Sequence, residues 1–156
     1  MLSWLESTQL AVWVGESPSV WALPTILTLH TTGMAVLVGA TWMLDLRLLG
    51  VGRGVPLPAY RWVFPLAGIG LVVNLLTGVL LFIKNATTWG TSIPFLIKMS
   101  FVVASVAMLV PLRSYVAAGN AEPPVGRGNA RLLAVASILA WTGAVTAGRL
   151  LAYLMS

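Results

Sequence analysis

The stretch Leu23–Arg47, LPTILTLHTTGMAVLVGATWMLDLR, decides the fold of this chain. About 20 apolar residues are enough to cross the hydrocarbon of a bilayer, and this stretch exceeds that length. Helical spacing of about 100° per residue places one stripe of polar and sulfur-bearing side chains on a single face, formed by His30, Met34, Thr41 and Asp45. Lipid offers polar groups no partners, so we expect further helices that shelter this face.

The composition supports a membrane protein throughout. The chain has 156 residues, of which 58% are hydrophobic and 8% are charged, whereas a soluble domain has about a quarter of its residues charged. The length fits one domain, residues 1–156, and the lack of cysteine excludes disulfides, iron–sulfur ligation and thiol catalysis. The net charge of +5 sits mostly between apolar spans, which favours membrane topology over nucleic-acid binding as its explanation.

Hydrophobic periodicity predicts an all-α integral membrane four-helix bundle with an N-terminal amphipathic helix in the membrane interface. The interfacial helix covers 2–16, and the transmembrane helices cover 20–49, 61–83, 93–114 and 130–154. Short connections favour antiparallel neighbours, which gives an up-down-up-down order. The segments 85–92 and 115–129 are expected to be loops, because turn-forming residues are frequent in them.

Helix–helix contact is indicated in the second span. Gly70, Asn74 and Gly78 lie at i, i+4 and i+8, so they share one face of a helix. Small residues allow the backbones of two membrane helices to approach closely, and an amide can hydrogen-bond across that contact. We therefore expect a neighbouring helix to pack closely along this face.

Lysine and arginine predict the orientation. The first and third loops carry or adjoin most of the basic residues, while the second loop has only Lys84 and the N-terminal segment has none. Basic residues are enriched on the cytoplasmic side of inner membranes. Both termini are therefore predicted to lie outside the cytoplasm.

Cations at membrane depth point to a ligand. Lys98 and Arg149 lie about 8 Å, and His30 about 10–15 Å, from the outer ends of their spans at 1.5 Å per residue. No acidic residue accompanies them, since Asp45 is at the other end of its helix. A cation at this depth costs about 2.5–3.5 kcal/mol, which predicts a bound anion between them.

Haem b is the ligand that fits this pattern best. His30 would be the axial ligand of the iron, and Lys98 and Arg149 would pair with the propionates. Met34 shares the face of His30 and would lie against the cofactor, but it cannot be the opposite axial ligand. On the fourth span a polar stripe would continue the lining of the cofactor site, and it consists of Thr142, Thr146, Arg149 and Tyr153.

The sequence does not decide which residue, if any, would be the opposite axial ligand of the iron. Met99 or Met108 on the third span could reach it, and an unligated sixth position is equally compatible with the sequence. No residue is predicted to be catalytic, and the sequence leaves undecided whether the protein is an enzyme.

Two alternatives belong to other classes of protein. In a copper-handling protein, His30 and Met34 at i and i+4 would bind Cu(I), although Lys98 and Arg149 would repel the cation. In a cofactor-free structural or accessory subunit, His30 would only hydrogen-bond another helix. Such a subunit would form a homo-oligomer or join a larger membrane complex. Asp45 and Arg47 are expected to be structural or interfacial charges.

Four segments carry a resemblance to known proteins: WLEST at 4–8, LDLRLLG at 44–50, PFLIKM at 94–99 and RLLAVASILAWTGAVTAGRLLAYL at 131–154. Together they resemble a bacterial family of small four-helix membrane proteins of unknown function. This resemblance implies the fold and a bacterial inner-membrane location, and it implies no activity.

A histidine in the first span with Lys98 in the third is remotely similar to two further groups. The first is the haem-binding membrane protoporphyrinogen oxidases, which would make His30 a haem ligand and Lys98 a partner of the porphyrin or its propionates. This sequence departs from that pattern because it has no second histidine. The second is the copper-resistance D membrane proteins, which would place copper on His30 and Met34.

Overall fold

Helices make up nearly all of the folded chain. The computed structural model describes residues 2–118 and 127–154, and it has no β-strand within those two ranges. In chain order its elements are α1 Ser3–Glu6, α2 Gln9–Glu16, α3 Leu23–Leu49, a 3-10 helix Leu57–Trp62, α4 Val63–Lys84, α5 Ala86–Gly90, α6 Ile93–Ala118 and α7 Arg127–Leu154. The predicted all-α class is confirmed.

The four long helices form the membrane-spanning part. By length and hydropathy α3, α4 with its preceding 3-10 helix, α6 and α7 can each cross a bilayer. They run up-down-up-down, and the chain is therefore a multi-pass four-helix membrane protein. We call the end that carries α1, α2 and α5 the outer end, and the end that carries the 3-10 helix the inner end.

The first span begins and ends at residues that favour helix boundaries. Pro24 occupies the first turn of α3, where its missing N–H has no partner to lose. Gly50 closes the helix with φ of 107°, and its N–H donates to the Arg47 and Leu46 carbonyls. Only glycine adopts this left-handed conformation without strain, so the helix stops there.

The N-terminal segment is two helices rather than the single helix expected over 2–16. Thr8 separates them, because its extended backbone breaks the helix and its side chain accepts from the Ala11 N–H as an N-cap. α2 buries Val14 against Ile26 of α3 and Leu81 of α4. Trp4 remains 71% exposed, as suits a side chain at the membrane interface.

Two connections differ from expectation. The segment 85–92 contains the helix α5, so it is not only a loop. The third span continues to Ala118, through Pro111, and overlaps the start of the expected loop 115–129. Proline is tolerated inside membrane helices because neighbouring groups compensate for its lost hydrogen bond. The fourth span begins at Arg127, and residues 119–126 of the expected loop lie outside the described ranges.

The core is centred on α3 and lies toward the inner half. α3 packs against α4 and α7, and α6 packs against α7 and the 3-10 helix. The buried core contains Leu37, Val38, Ala40, Leu44, Val63, Ala67, Leu112, Val116, Trp141 and Ala144. α6 is the least buried of the four spans, because only 6% of its most apolar 18 residues are buried inside the protein.

The closest approach of two backbones is between α3 and α4. A Cβ on Gly70 would lie 2.8 Å from the Gly33 carbonyl oxygen and 2.8 Å from the Leu37 nitrogen. No side chain fits there without moving one helix. The close packing expected along the Gly70 face is confirmed, and it decides how the polar residues of α4 meet α3.

Candidate functional site in the outer half

His30 lies seven residues into α3, about 10 Å from the outer end, and its ring is half-buried against α4. A Cβ on Gly78 would lie 3.3 Å from Cε1 of His30, so the imidazole packs on this glycine. The Asn74 side-chain amide donates to the His30 carbonyl oxygen at 2.9 Å. Two residues that the sequence placed on one face of α4 therefore both contact His30.

A hydrogen-bond chain fixes the imidazole. Nδ1 of His30 lies 2.9 Å from the Thr77 hydroxyl oxygen, which in turn lies 2.6 Å from the Val73 carbonyl oxygen. A hydroxyl has one proton, and a carbonyl can only accept, so Thr77 donates to Val73 and accepts from His30. This network assigns the proton to Nδ1, and a neutral His30 then carries its lone pair on Nε2.

Lys98 is the second member of the outer site. It lies five residues into α6, is half-buried, and its methylene carbons approach Gly148 of α7. Within residues 2–118 and 127–154 its ammonium forms no hydrogen bond or ion pair. Lys98 interacts electrostatically with His30, but no hydrogen bond joins the two side chains in the described residues.

Arg149 and Tyr153 lie differently. Both are exposed on α7, and Tyr153 is 80% exposed. Thr142 and Thr146 of the same predicted stripe are also exposed, so this face of α7 points away from the core of the bundle. The assignment of Arg149 and Tyr153 to a cofactor site stays a prediction.

The methionines separate into different environments. Met34 packs against the hydrophobic core, and no group of three His, Cys, Asp or Glu residues that could hold a metal ion occurs in the described ranges. Helix rise places Met99 about 9 Å from the outer end of α6, level with His30, and Met108 about 13 Å further in. Of the two methionines considered for the opposite axial position, only Met99 therefore has a matching depth.

A separate polar contact lies near the inner end. Asp45 of α3 and Ser137 of α7 are both fully buried, and the Ser137 hydroxyl donates to Oδ2 of Asp45 at 2.7 Å. Oδ1 of Asp45 is buried and has no hydrogen-bond partner among the described residues. Arg47, two residues later, donates to carbonyl oxygens of the following loop, as expected for a structural charge.

Sequence reasoning missed Thr77 and Ser137. Thr77 follows Asn74 by three residues and adjoins Gly78, so the same helical face could have included it. Ser137 lies on the buried face of α7 with Ala134, Trp141 and Ala144, and the i, i+4 relation to Trp141 was the available signal. Which polar residue on α3 it meets depends on helix register, which the sequence does not encode locally.

Comparisons with protein-family models, with curated proteins and with solved structures give no match for this chain. The resemblances described from the sequence therefore stay predictions, and the candidate site must be judged on its own geometry.

Proposed function

We propose that this chain is a haem b-binding protein of a bacterial inner membrane that acts as an electron-transfer or small oxidoreductase subunit. The observation that carries the proposal is the chain from His30 through Thr77 to Val73, which leaves Nε2 of His30 as the nitrogen available to iron. Metal-ligating histidines usually have their other ring N–H held by a fixed partner. Bound haem would supply one-electron transfer at its iron.

Lys98 supports an anionic ligand rather than a bare metal ion. Its half-buried ammonium interacts with His30 and has no acidic partner among the described residues. A cation next to His30 would disfavour Cu(I) or Zn²⁺ and favour a ligand that carries carboxylates. In this proposal Lys98 pairs with a propionate, while Met99 or an open position faces the iron.

The binding proposal is tested by adding haem to protein purified in mild detergent and recording absorption spectra. We expect the Soret band of the added haem to shift on binding to the wild-type protein. The shift should be absent in His30→Gln, which keeps a hydrogen-bonding group but cannot replace the imidazole. Lys98→Met should weaken haem binding by about 10- to 150-fold, since a charge-assisted pair contributes about 1.5–3 kcal/mol. Lys84→Met is the matched control, because Lys84 packs over Gly15 at the outer end, and it should bind haem as wild type does.

A second candidate function is a cofactor-free structural subunit. The observation that favours it is that Asn74 and Thr77 already link α4 to His30 without any ligand. This candidate predicts that the wild-type spectrum does not respond to haem and that His30→Gln assembles normally. That pair of results would reject the haem proposal and leave the fold unaffected.

The orientation belongs to the same proposal. Both termini would face the periplasm, since the inner end carries the arginine-rich loops. This places His30 and Lys98 in the periplasmic half of the membrane. A reporter that is active only in the periplasm, fused after the C-terminus, should be active, and the same reporter inserted at Gly54 should be inactive; the reverse pattern would overturn the orientation.

A further inference from the structure

The inner polar contact is not used by the proposed function. Asp45 is the only acidic residue within the four spans, and it is fully buried between α3 and α7. An ionised carboxylate in this position needs hydrogen-bond donors or a cation, because the charge is removed from water. The Ser137 hydroxyl is the one donor it has in the described ranges, and it reaches only Oδ2.

The charged and titratable groups on the surrounding elements do not supply a counter-charge. Among the side chains that the structure describes near the inner end, they are Arg47 on α3, Arg53 in the following loop, Tyr60 and Arg61 on the 3-10 helix, Arg113 and Tyr115 on α6, and Arg131 on α7. None of them forms an ion pair or an electrostatic interaction with Asp45 in the described residues. These side chains therefore leave an ionised Asp45 without a counter-charge.

We propose that Asp45 and Ser137 form a proton-binding site buried in the membrane-spanning part of the protein. A bound proton converts the carboxylate to a neutral carboxylic acid, which removes the unpaired charge without any further ligand. Oδ2 remains the carbonyl oxygen and accepts from Ser137, while Oδ1 carries the proton. The step is a simple protonation, with no electron transferred and no other bond broken.

A metal cation fits this site less well than a proton. Hard cations take about six or more oxygen ligands, and Asp45 contributes one unbonded oxygen. The neighbouring buried hydroxyl, Thr41, donates to the Leu37 carbonyl within its own helix. No cluster of three acidic or histidine ligands occurs in the described part of the chain.

The depth of Asp45 in α3 indicates the side of the membrane with which the site exchanges protons, and its contact with α7 indicates what the proton controls. Asp45 lies about 6 Å from the end of α3 at Leu49, so protons exchange with the inner side of the membrane. The Asp45–Ser137 hydrogen bond joins α3 to α7. Loss of the proton places an uncompensated charge in this interface, so proton binding controls how tightly α7 holds α3.

Infrared spectroscopy of the full-length protein in lipid vesicles tests the proposal. At pH 8 glutamates in water are ionised, so we expect one carbonyl band from a protonated carboxylic acid in the wild-type protein. The band should be lost completely in Asp45→Asn and unchanged in the control Glu16→Gln. In Ser137→Ala it should move to higher frequency, because the carbonyl oxygen loses its hydrogen bond.

Several results would overturn the proposal. One is that no protonated carboxyl band exists at pH 8, and another is that the band survives in Asp45→Asn. A third is that sodium or lithium chloride abolishes the band, because a metal cation would then occupy the site. If Asp45→Asn does not fold, the Ser137→Ala shift and a pH titration of the wild-type band still decide the matter. The haem titration of the outer site fails or succeeds independently of these results.

Discussion

His30 and Asp45 are both polar residues of α3, about 22 Å apart by helix rise, but they contact different neighbours. His30 meets α4 where glycines let the helices approach, and its ring is only half-buried. Asp45 meets α7 beside bulky core residues, and it is fully buried. In the outer contact the bonded ring nitrogen is Nδ1 of His30, whereas the inner contact leaves Oδ1 of Asp45 without a hydrogen-bond partner in the described residues.

The largest effect on stability is expected where α3 and α4 approach each other closely, because this approach sets the outer contact apart from the inner one. Gly70→Ala should destabilise the protein by about 1–3 kcal/mol, because the new methyl group would meet backbone atoms of Gly33 and Leu37 at 2.8 Å. Unfolding by SDS, followed by circular dichroism, measures the change. Gly68→Ala is the control, since nothing lies within 4 Å of its Cβ position, and equal stability of the two variants would contradict the close approach.

The next largest effect on stability is expected at the inner contact between Asp45 and Ser137. Ser137→Ala removes the hydrogen bond to Asp45 and leaves a buried carboxyl group without a donor, which costs about 1–3 kcal/mol. The same SDS titration measures it. Ser100→Ala is the matched control, because that hydroxyl is exposed and bonds only to its own helix at Leu96. A Ser137→Ala variant as stable as the control would show that the Asp45 contact contributes nothing.

The outer contact should show a smaller effect on stability. Thr77→Val removes the acceptor of the His30 Nδ1 proton, and side-chain hydrogen bonds between membrane helices contribute about 0.6 kcal/mol on average, at most about 1.7. Nitrogen NMR of labelled histidine should also show loss of the Nδ1–H preference. Thr77→Ser keeps the hydroxyl and should keep that preference; if Thr77→Val keeps it as well, the assigned proton position is wrong.

The smallest effect concerns the exposed N-terminal contact. Oε1 of Glu6 accepts from the Thr87 hydroxyl at 2.6 Å and the Thr87 N–H at 2.8 Å, and these bonds lower the pKa of Glu6. Because the pKa of Glu6 is lowered, ionised Glu6 stabilises the contact between α1 and α5 at any pH above the usual glutamate pKa. This stabilisation is lost as the pH falls through the lowered pKa. The protection of the α1 amides against hydrogen exchange, relative to the intrinsic exchange rate at each pH, should therefore decrease in acid. Glu6→Gln should remove this pH dependence of the protection. If Glu6→Gln keeps the same dependence, another group causes it.

Amphipathic and hydrophobic periodicity predicted the helical class, the four spans and the boundary at Gly50, because those features depend on residues close in sequence. The same local signal misplaced the short helix α5 and the end of α6. Turn-forming residues in both segments suggested loops, but packing at the ends of the bundle keeps them helical.

The sequence by itself determined that His30, Asn74, Gly70, Gly78 and Lys98 belong to membrane-spanning helices, and that the polar face of α3 with Asp45 turns inward. Only the tertiary structure decided that Thr77 holds the imidazole, that Ser137 meets Asp45, and that Arg149 lies on the exposed side of α7. The physical reason is that helix periodicity fixes which residues share a face, whereas the partner of each face depends on the register and crossing of helices distant in the chain.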